Sequence, residues 1–367
     1  MLQLEHELTL RTVGQQASTG RRAHWLSWIV GTALVVAVSV AVLRFSEAQE
    51  IARLAERAQP WWLLLAFALQ AGTYAAQGEI WRGIGRAAQF PLSRVAAFKL
   101  SIAKLFVDQA LPSAGVSGTA AVARYLEDRG MLKPAIMAGV VVNVASYFAV
   151  YVLLLLLALL LLPLPASAGK AVVLGSTVFV VCSVMLVIAL LVLPGHATSR
   201  IARYLARLRP LKNLLGPIEE ADVTLVRRPR LLVEACTCQT AIILLDATTV
   251  WVLIEALGAE ASAVAVFASF MISNLFRTIG ILPGGLGTFE ASSVLTLGLV
   301  GVPLPVALSA TLLFRGLSFW LPMLPGMWFS QRLFRRRSHD ANHVAVDAYW
   351  ALAPEKLLQR QIGRAHV

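Results

Sequence analysis

Asp108, Arg277, Glu290 and Arg315, with Asn274 beside Arg277, fall in or next to apolar stretches. A charge at bilayer depth costs about 2.5–3.5 kcal/mol on insertion scales, so it normally faces a cavity and finds a partner. Two guanidiniums and two carboxylates so placed suit the capture of an anion. Arg277 and Arg315 would hold a phosphate, while Glu290 pairs with one of them or meets a cationic headgroup amine. The competing reading is a buried Glu290–Arg pair that only fixes helix register. Asp246 and Glu234, in a further apolar run, are candidate proton relays.

Two breaks carry these residues. The first is Leu111-Pro112-Ser113-Ala114-Gly115-Val116-Ser117-Gly118, and the second is Leu282-Pro283-Gly284-Gly285-Leu286-Gly287-Thr288-Phe289-Glu290. Each follows a segment containing the same pair, Leu105-Phe106 or Leu275-Phe276, and each leads into a short apolar helix. Pro283 cannot continue a helix, and Gly284, Gly285 and Gly287 allow positive φ and close backbone approach. The helix opening at Thr288 is expected to present free N–H groups and a positive dipole end, a ready phosphate site. Pro112, Gly115 and Gly118 do the same for the first break, with Ser113, Ser117 and Thr119 as hydroxyl donors. A broken helix in hydrocarbon leaves backbone groups unpaired, so it is tolerated only against protein or a water-filled cavity. A matched pair of breaks points to a transporter's binding site. The alternative is that Gly and Pro merely permit tight helix packing.

These residues must be positioned by membrane helices. Six runs are long enough to span: Trp25–Leu43, Trp61–Ile80, Pro134–Leu162, Ala171–Leu193, Leu231–Leu257 and Val302–Phe329. Two broken regions, Phe98–Ala123 and Val264–Val300, read as re-entrant helix pairs. A second reading lets the arms of the latter each cross. Basic residues in the loops, including Lys99, Lys104 and Arg203, collect on one side if both termini are cytoplasmic. The two pairs then dip from opposite faces, as in an inverted-topology repeat with a site near the midplane. The expected fold is an all-α polytopic transmembrane bundle with two re-entrant pairs in an inverted repeat. Ser199–Leu208 reads as a basic amphipathic helix, lying in the headgroup plane or as an ordinary loop helix.

Composition closes off other classes. Of 367 residues, 58% are hydrophobic and 14% charged, against about 25% charged in a soluble domain. The net charge of +12 sits in short loops, which suits an anionic lipid surface and not nucleic acid. Cys182, Cys236 and Cys238 lie in apolar runs and read as packing residues. His339 and His343 lack a third ligand, so no metal is expected. No nucleotide, zinc-protease or serine-hydrolase motif occurs, and no cofactor is expected.

The second break resembles the Pro-Gly-Gly-(Leu/Ile)-Gly-x-x-Glu signature of the lysylphosphatidylglycerol synthase transmembrane region. The first break, with Arg124-Tyr125-Leu126 and Arg129-Gly130, is similar to that family's first-half motif. Thr119 stands where relatives often carry an acidic residue. Asn143 is the polar residue of Pro134–Leu162, where many relatives have an arginine. The resemblance implies the flippase-like membrane part of the multiple peptide resistance factors, without the aminoacyl-transferring domain. It also adds Arg124 to the binding set. The organisation expected is a cytoplasmic tail (1–24), a flippase-like domain (25–330) and a second cytoplasmic tail (331–367). The expected function is binding and moving an anionic phospholipid or polyprenyl phosphate in the inner cell membrane, without catalysis. The rival readings are a membrane-embedded transferase and an accessory subunit of a lipid-modifying enzyme. A homo-oligomer is a further open option.

Overall fold

The computed structural model describes residues 59–110, 116–161, 166–192, 194, 220–279 and 285–334. The expected Trp25–Leu43 span, the Ser199–Leu208 helix, the polar lead and the tail beyond Phe334 lie outside them.

All regular elements among the described residues are helical. In chain order they are α1 (Pro60–Ala87), α2 (Arg94–Ala110), α3 (Val116–Glu127), α4 (Lys133–Leu161), α5 (Ala166–Val192) and the single turn α6 (Val223–Val226). They continue as α7 (Pro229–Ala256), α8 (Ala263–Ile279), α9 (Thr288–Leu299), α10 (Leu304–Arg315) and α11 (Leu321–Phe334). A π-helical turn, Gly316–Trp320, joins the last two. Among the described residues, four helices are long and apolar enough to cross a membrane: α4, α5 from Leu174, α7, and the Leu304–Leu333 stretch. Large side chains of α5 such as Leu174, Val178, Met185 and Ile188 are exposed. Such a face would be an aggregation hazard in water and is ordinary against acyl chains.

The elements repeat. α1 and α7 each have 28 residues and each open on proline, whose missing N–H costs nothing at a first helical turn. α2 and α8 each have 17 residues, and α3 and α9 each have 12. α4 then matches the α10–π–α11 rod. At 1.5 Å per residue the paired arms reach about 25 and 18 Å. Both fall short of the roughly 30 Å of hydrocarbon.

The two units are antiparallel at their centre. Among the described residues, α1 and α7 share the most extensive helix packing. The Gln59 N–H, just before α1, donates to Ala256 O at the end of α7 over 3.4 Å. At the opposite end Arg86 of α1 pairs with Glu234 near the start of α7. The cross-contacts are reciprocal: α2 packs on α11, and its counterpart α8 packs on α4. Such exchange is what a two-fold relation between the units demands.

The last span, expected over Val302–Phe329, is interrupted by the π turn. The π turn leaves main-chain carbonyls off the normal ladder, and side chains from the first unit reach two of them. The Tyr74 hydroxyl donates to Leu317 O (2.7 Å), and Gln109 Nε2 donates to Ser318 O (3.3 Å). Pro322 and Pro325 follow, so the sequence there already disfavoured a straight rod.

Gly326 shows how tightly the units meet. A Cβ built there would lie 2.6 Å from Phe106 Cβ and 2.9 Å from Ile102 O on α2. Gly326→Ala is therefore expected to destabilise the protein by about 1–3 kcal/mol through overpacking. Gly298, with open space around it, should be neutral or slightly stabilising as Ala. Unfolding of the two variants in detergent checks this, and equal behaviour would contradict the α2–α11 contact.

Candidate functional site

Each break is closed by a carboxylate. Asp108, in the last turn of α2, accepts the Gly118 N–H of α3 at 2.7 Å and a hydrogen bond from Lys104 Nζ at 2.7 Å. Ser117 Oγ donates to Val107 O across the same break (3.2 Å). Glu290, in the first turn of α9, takes the Gly287 N–H at 2.6 Å through Oε2 and Arg315 Nε at 2.6 Å through Oε1. Of the N–H groups expected at these helix starts, the chain's own anions take one at each break. That follows from the partial positive charge at a helix N-terminus, which favours whichever carboxylate lies nearest. Lys104 is corrected: it is not a loop cation but a mostly buried partner of Asp108.

Glycine is required at two points of the second break. Gly285 has φ +66° and Gly287 has φ +82°, left-handed values that other residues seldom adopt. A side chain at Gly285 would also overlap Arg277, so the break and the guanidinium-bearing helix fit directly together. Pro112, Gly115, Pro283 and Gly284 lie outside the described residues.

Arg315 is buried, at 5% exposure, and its guanidinium packs over Phe319 (4.7 Å) and Phe289 (5.5 Å). Phe270, Phe289 and Phe314 form an aromatic cluster beneath it. Ser269 and Ser273 of α8 share Thr296 of α9, and Ser293 meets Thr311 of α10 at 2.9 Å. These contacts hold α8, α9 and α10 as one block around the Glu290–Arg315 pair.

Arg277 behaves differently. It ends α8 with an exposed side chain, and among the described residues Glu290 pairs with Arg315 and not with it. The helix it ends packs against α4, α7 and α9, and Gly285 of the second break lies against its side-chain stem, so Arg277 stands where four helices meet. Asn274, one turn earlier, is buried. The first break reaches the same junction through Gln109 on the π turn beside Arg315.

Two candidates from the sequence stand apart. Arg124 is exposed in the last turn of α3 and joins neither carboxylate among the described residues. Glu234 is spent on Arg86 at one end of the α1–α7 crossing and belongs to no relay. Residues not singled out at first complete the interior. Gln77 and Gln239 donate to Asn143 Oδ1 (3.4 Å each), and Gln70 with Thr73 reaches Asp246. Glutamine on the buried face of an apolar helix is the signal that could have found them.

Removing one member of the Glu290–Arg315 pair leaves a buried charge uncompensated. Arg315→Met should cost about 3–5 kcal/mol, and adding Glu290→Gln to it should recover much of that loss. A double-mutant cycle on thermal unfolding in detergent measures it. Additive losses would mean that the pair does not couple α9 to α10.

The chain is similar to two curated proteins of Methanothermobacter thermautotrophicus (strain Delta H), each named a UPF0104 membrane protein. One is 34% identical over 87 residues, covering 24% of this chain and 26% of that protein. The other is 25% identical over 113 residues, covering 31% and 33%. The matched stretches thus span about a quarter to a third of those relatives. The family model described as the lysylphosphatidylglycerol synthase TM region matches residues 28–326, which takes in both breaks, both carboxylate closures and the antiparallel pair. The chain is a multi-pass membrane protein of that family.

Proposed function

We propose that this protein binds an anionic lipid, a phospholipid or a polyprenyl phosphate, between its two antiparallel units and carries the headgroup between leaflets. The single observation that carries this reading is Arg277. It is an exposed cation at a four-helix junction, and the nearby carboxylate Glu290 is already committed to Arg315 and the Gly287 N–H. A lipid phosphate supplies the missing counter-ion. Glu290 then keeps the second break in shape, and Arg315 adds field from behind it. Asp108 and Lys104 do the equivalent work at the first break.

Supporting features are the short arms, which favour two hairpins entering from opposite faces, and the family's membrane-lipid association. The loop charge favours an inner membrane location with both termini cytoplasmic. Transport is favoured over transfer chemistry because the carboxylates at the breaks are tied up as caps, leaving neither as a base beside the phosphate. Asp246 is held by Gln70 and Thr73 on α1.

Proteoliposomes carrying headgroup-labelled phosphatidylglycerol test this. Label in the inner leaflet should become accessible to a membrane-impermeant quencher at unchanged lipid mass. Arg277→Gln should slow that exchange by about ten- to a hundredfold, the worth of one charged hydrogen bond. A change in lipid mass would favour a transferase, and an unaltered rate in Arg277→Gln would remove Arg277 from the binding role.

A further inference from the structure

The repeat brings chemically different residues to equivalent places. Counted from their first prolines, the eleventh residues of α1 and α7 are Gln70 and Gln239, both buried. The eighteenth residues are Gln77 and Asp246. On one side of the pseudo-two-fold, Gln77 and Gln239 meet Asn143 in an all-amide group. On the other side, the same scaffold holds a carboxylate against Gln70.

The shell of Asp246 is built for two protonation states. Gln70 Nε2 donates to Oδ1 at 3.1 Å. Thr73 Oγ lies 3.2 Å from the same Oδ1 and 3.3 Å from Leu69 O, with one hydrogen to share between two acceptors. With the carboxylate charged, Thr73 donates to it. With Asp246 protonated, the new O–H donates to Thr73 Oγ, whose own hydrogen turns to Leu69 O. The Thr73 hydroxyl keeps an acceptor in either state. Gln70 Oε1, at the other end of the same amide, is buried and without a partner among the described residues. Both groups aimed at the carboxylate are donors, which a metal cation would have to displace, so the fitting ligand is a proton.

Asp246 and Arg277 also lie near one another's level: Asp246 is ten residues before the end of α7 and Arg277 fourteen after the start of α8, and the two consecutive helices pack together. The other charged or titratable groups on the helices packed around α7 are mostly engaged. Tyr74 of α1 donates to Leu317 O, Tyr151 of α4 to Met271 O, and Arg315 of α10 to Glu290. Tyr147 of α4 stacks on Tyr151. Glu79, Arg82, Arg86 and Glu234 pair among themselves at one end of the α1–α7 crossing, and Glu255 near the other end accepts the Ala261 N–H.

We infer that Asp246 binds a proton, and that this binding is coupled to capture of the lipid anion at Arg277. The coupling rests on the function proposed above and supplies its missing driving force. An anion on Arg277 cancels the charge of that guanidinium, so Asp246 takes a proton from solvent as the lipid binds. The lipid and one proton would then move together. Affinity is therefore highest at low pH and falls as pH rises through the titration of Asp246.

The test uses the full chain in detergent and dioctanoyl-phosphatidylglycerol as the probe. Calorimetry in buffers of differing ionisation enthalpy counts the protons exchanged. Wild type should take up close to one proton per lipid, with affinity weakening about tenfold per pH unit across that window. Asp246→Asn should bind at every pH as wild type does at low pH, and exchange no proton. Thr73→Val, which keeps the carboxylate and removes the two-way hydroxyl, should shift the pH profile. Proton uptake that persists in Asp246→Asn overturns the coupling. So does wild-type binding without proton uptake, or an unshifted profile in Thr73→Val. Absence of any wild-type binding would instead remove the lipid-binding function itself, and the coupling with it.

Discussion

Hydrocarbon offers no hydrogen bonds, and that constraint organises this protein. Each departure from regular helix must find its partners within the chain. At the first break Asp108 reaches across to the Gly118 N–H, and at the second Glu290 takes the Gly287 N–H. At the π turn, Tyr74 and Gln109 meet the carbonyls of Leu317 and Ser318. Those last two bonds join one unit of the repeat to the other, so irregular backbone in the second unit is stabilised only while the first is docked.

The repeat is symmetric in backbone and asymmetric in charge. The fifteenth residue of α2 is Asp108, and the fifteenth of α8 is Arg277. In the first unit the anion comes from the long arm and caps the short one, with Lys104 a turn behind it. In the second unit the cap comes from within α9 itself, as Glu290, and Arg315 on α10 balances it. The long arm's charge is thereby released from a structural duty. Two-fold scaffolding thus gives two alike broken hairpins, while one inversion of sign leaves the long arm of the second ending on an exposed guanidinium.

Much of this was legible in the sequence. Four of the expected spans were legible because length and hydropathy are read without knowing the packing, while Trp61–Ile80 forms a helix that falls outside the four apolar enough to cross. The boundaries moved outward where amphipathic ends continue past the apolar run: the run ending at Ile80 extends to Ala87, through the charged Glu79–Arg82–Arg86 patch. Pairwise detail was not legible. Glu290 could have met either arginine, since the choice depends on how α10 crosses α9. The capping role of Asp108 depends on a turn that places it ten residues from its partner. The π turn has no strong local signature, because its cause is the tertiary partners waiting on α1 and α2.

The claim on which the account turns is that the two broken hairpins and the α1–α7 crossing enclose one polar space centred on Arg277. An experimental structure in nanodiscs of phosphatidylglycerol addresses it most directly. The account predicts a lipid phosphate within hydrogen-bond reach of the Arg277 guanidinium, with Glu290 still on Arg315. Acyl chains filling the space between α4, α7, α8 and α10, with Arg277 paired to a protein carboxylate, would contradict it.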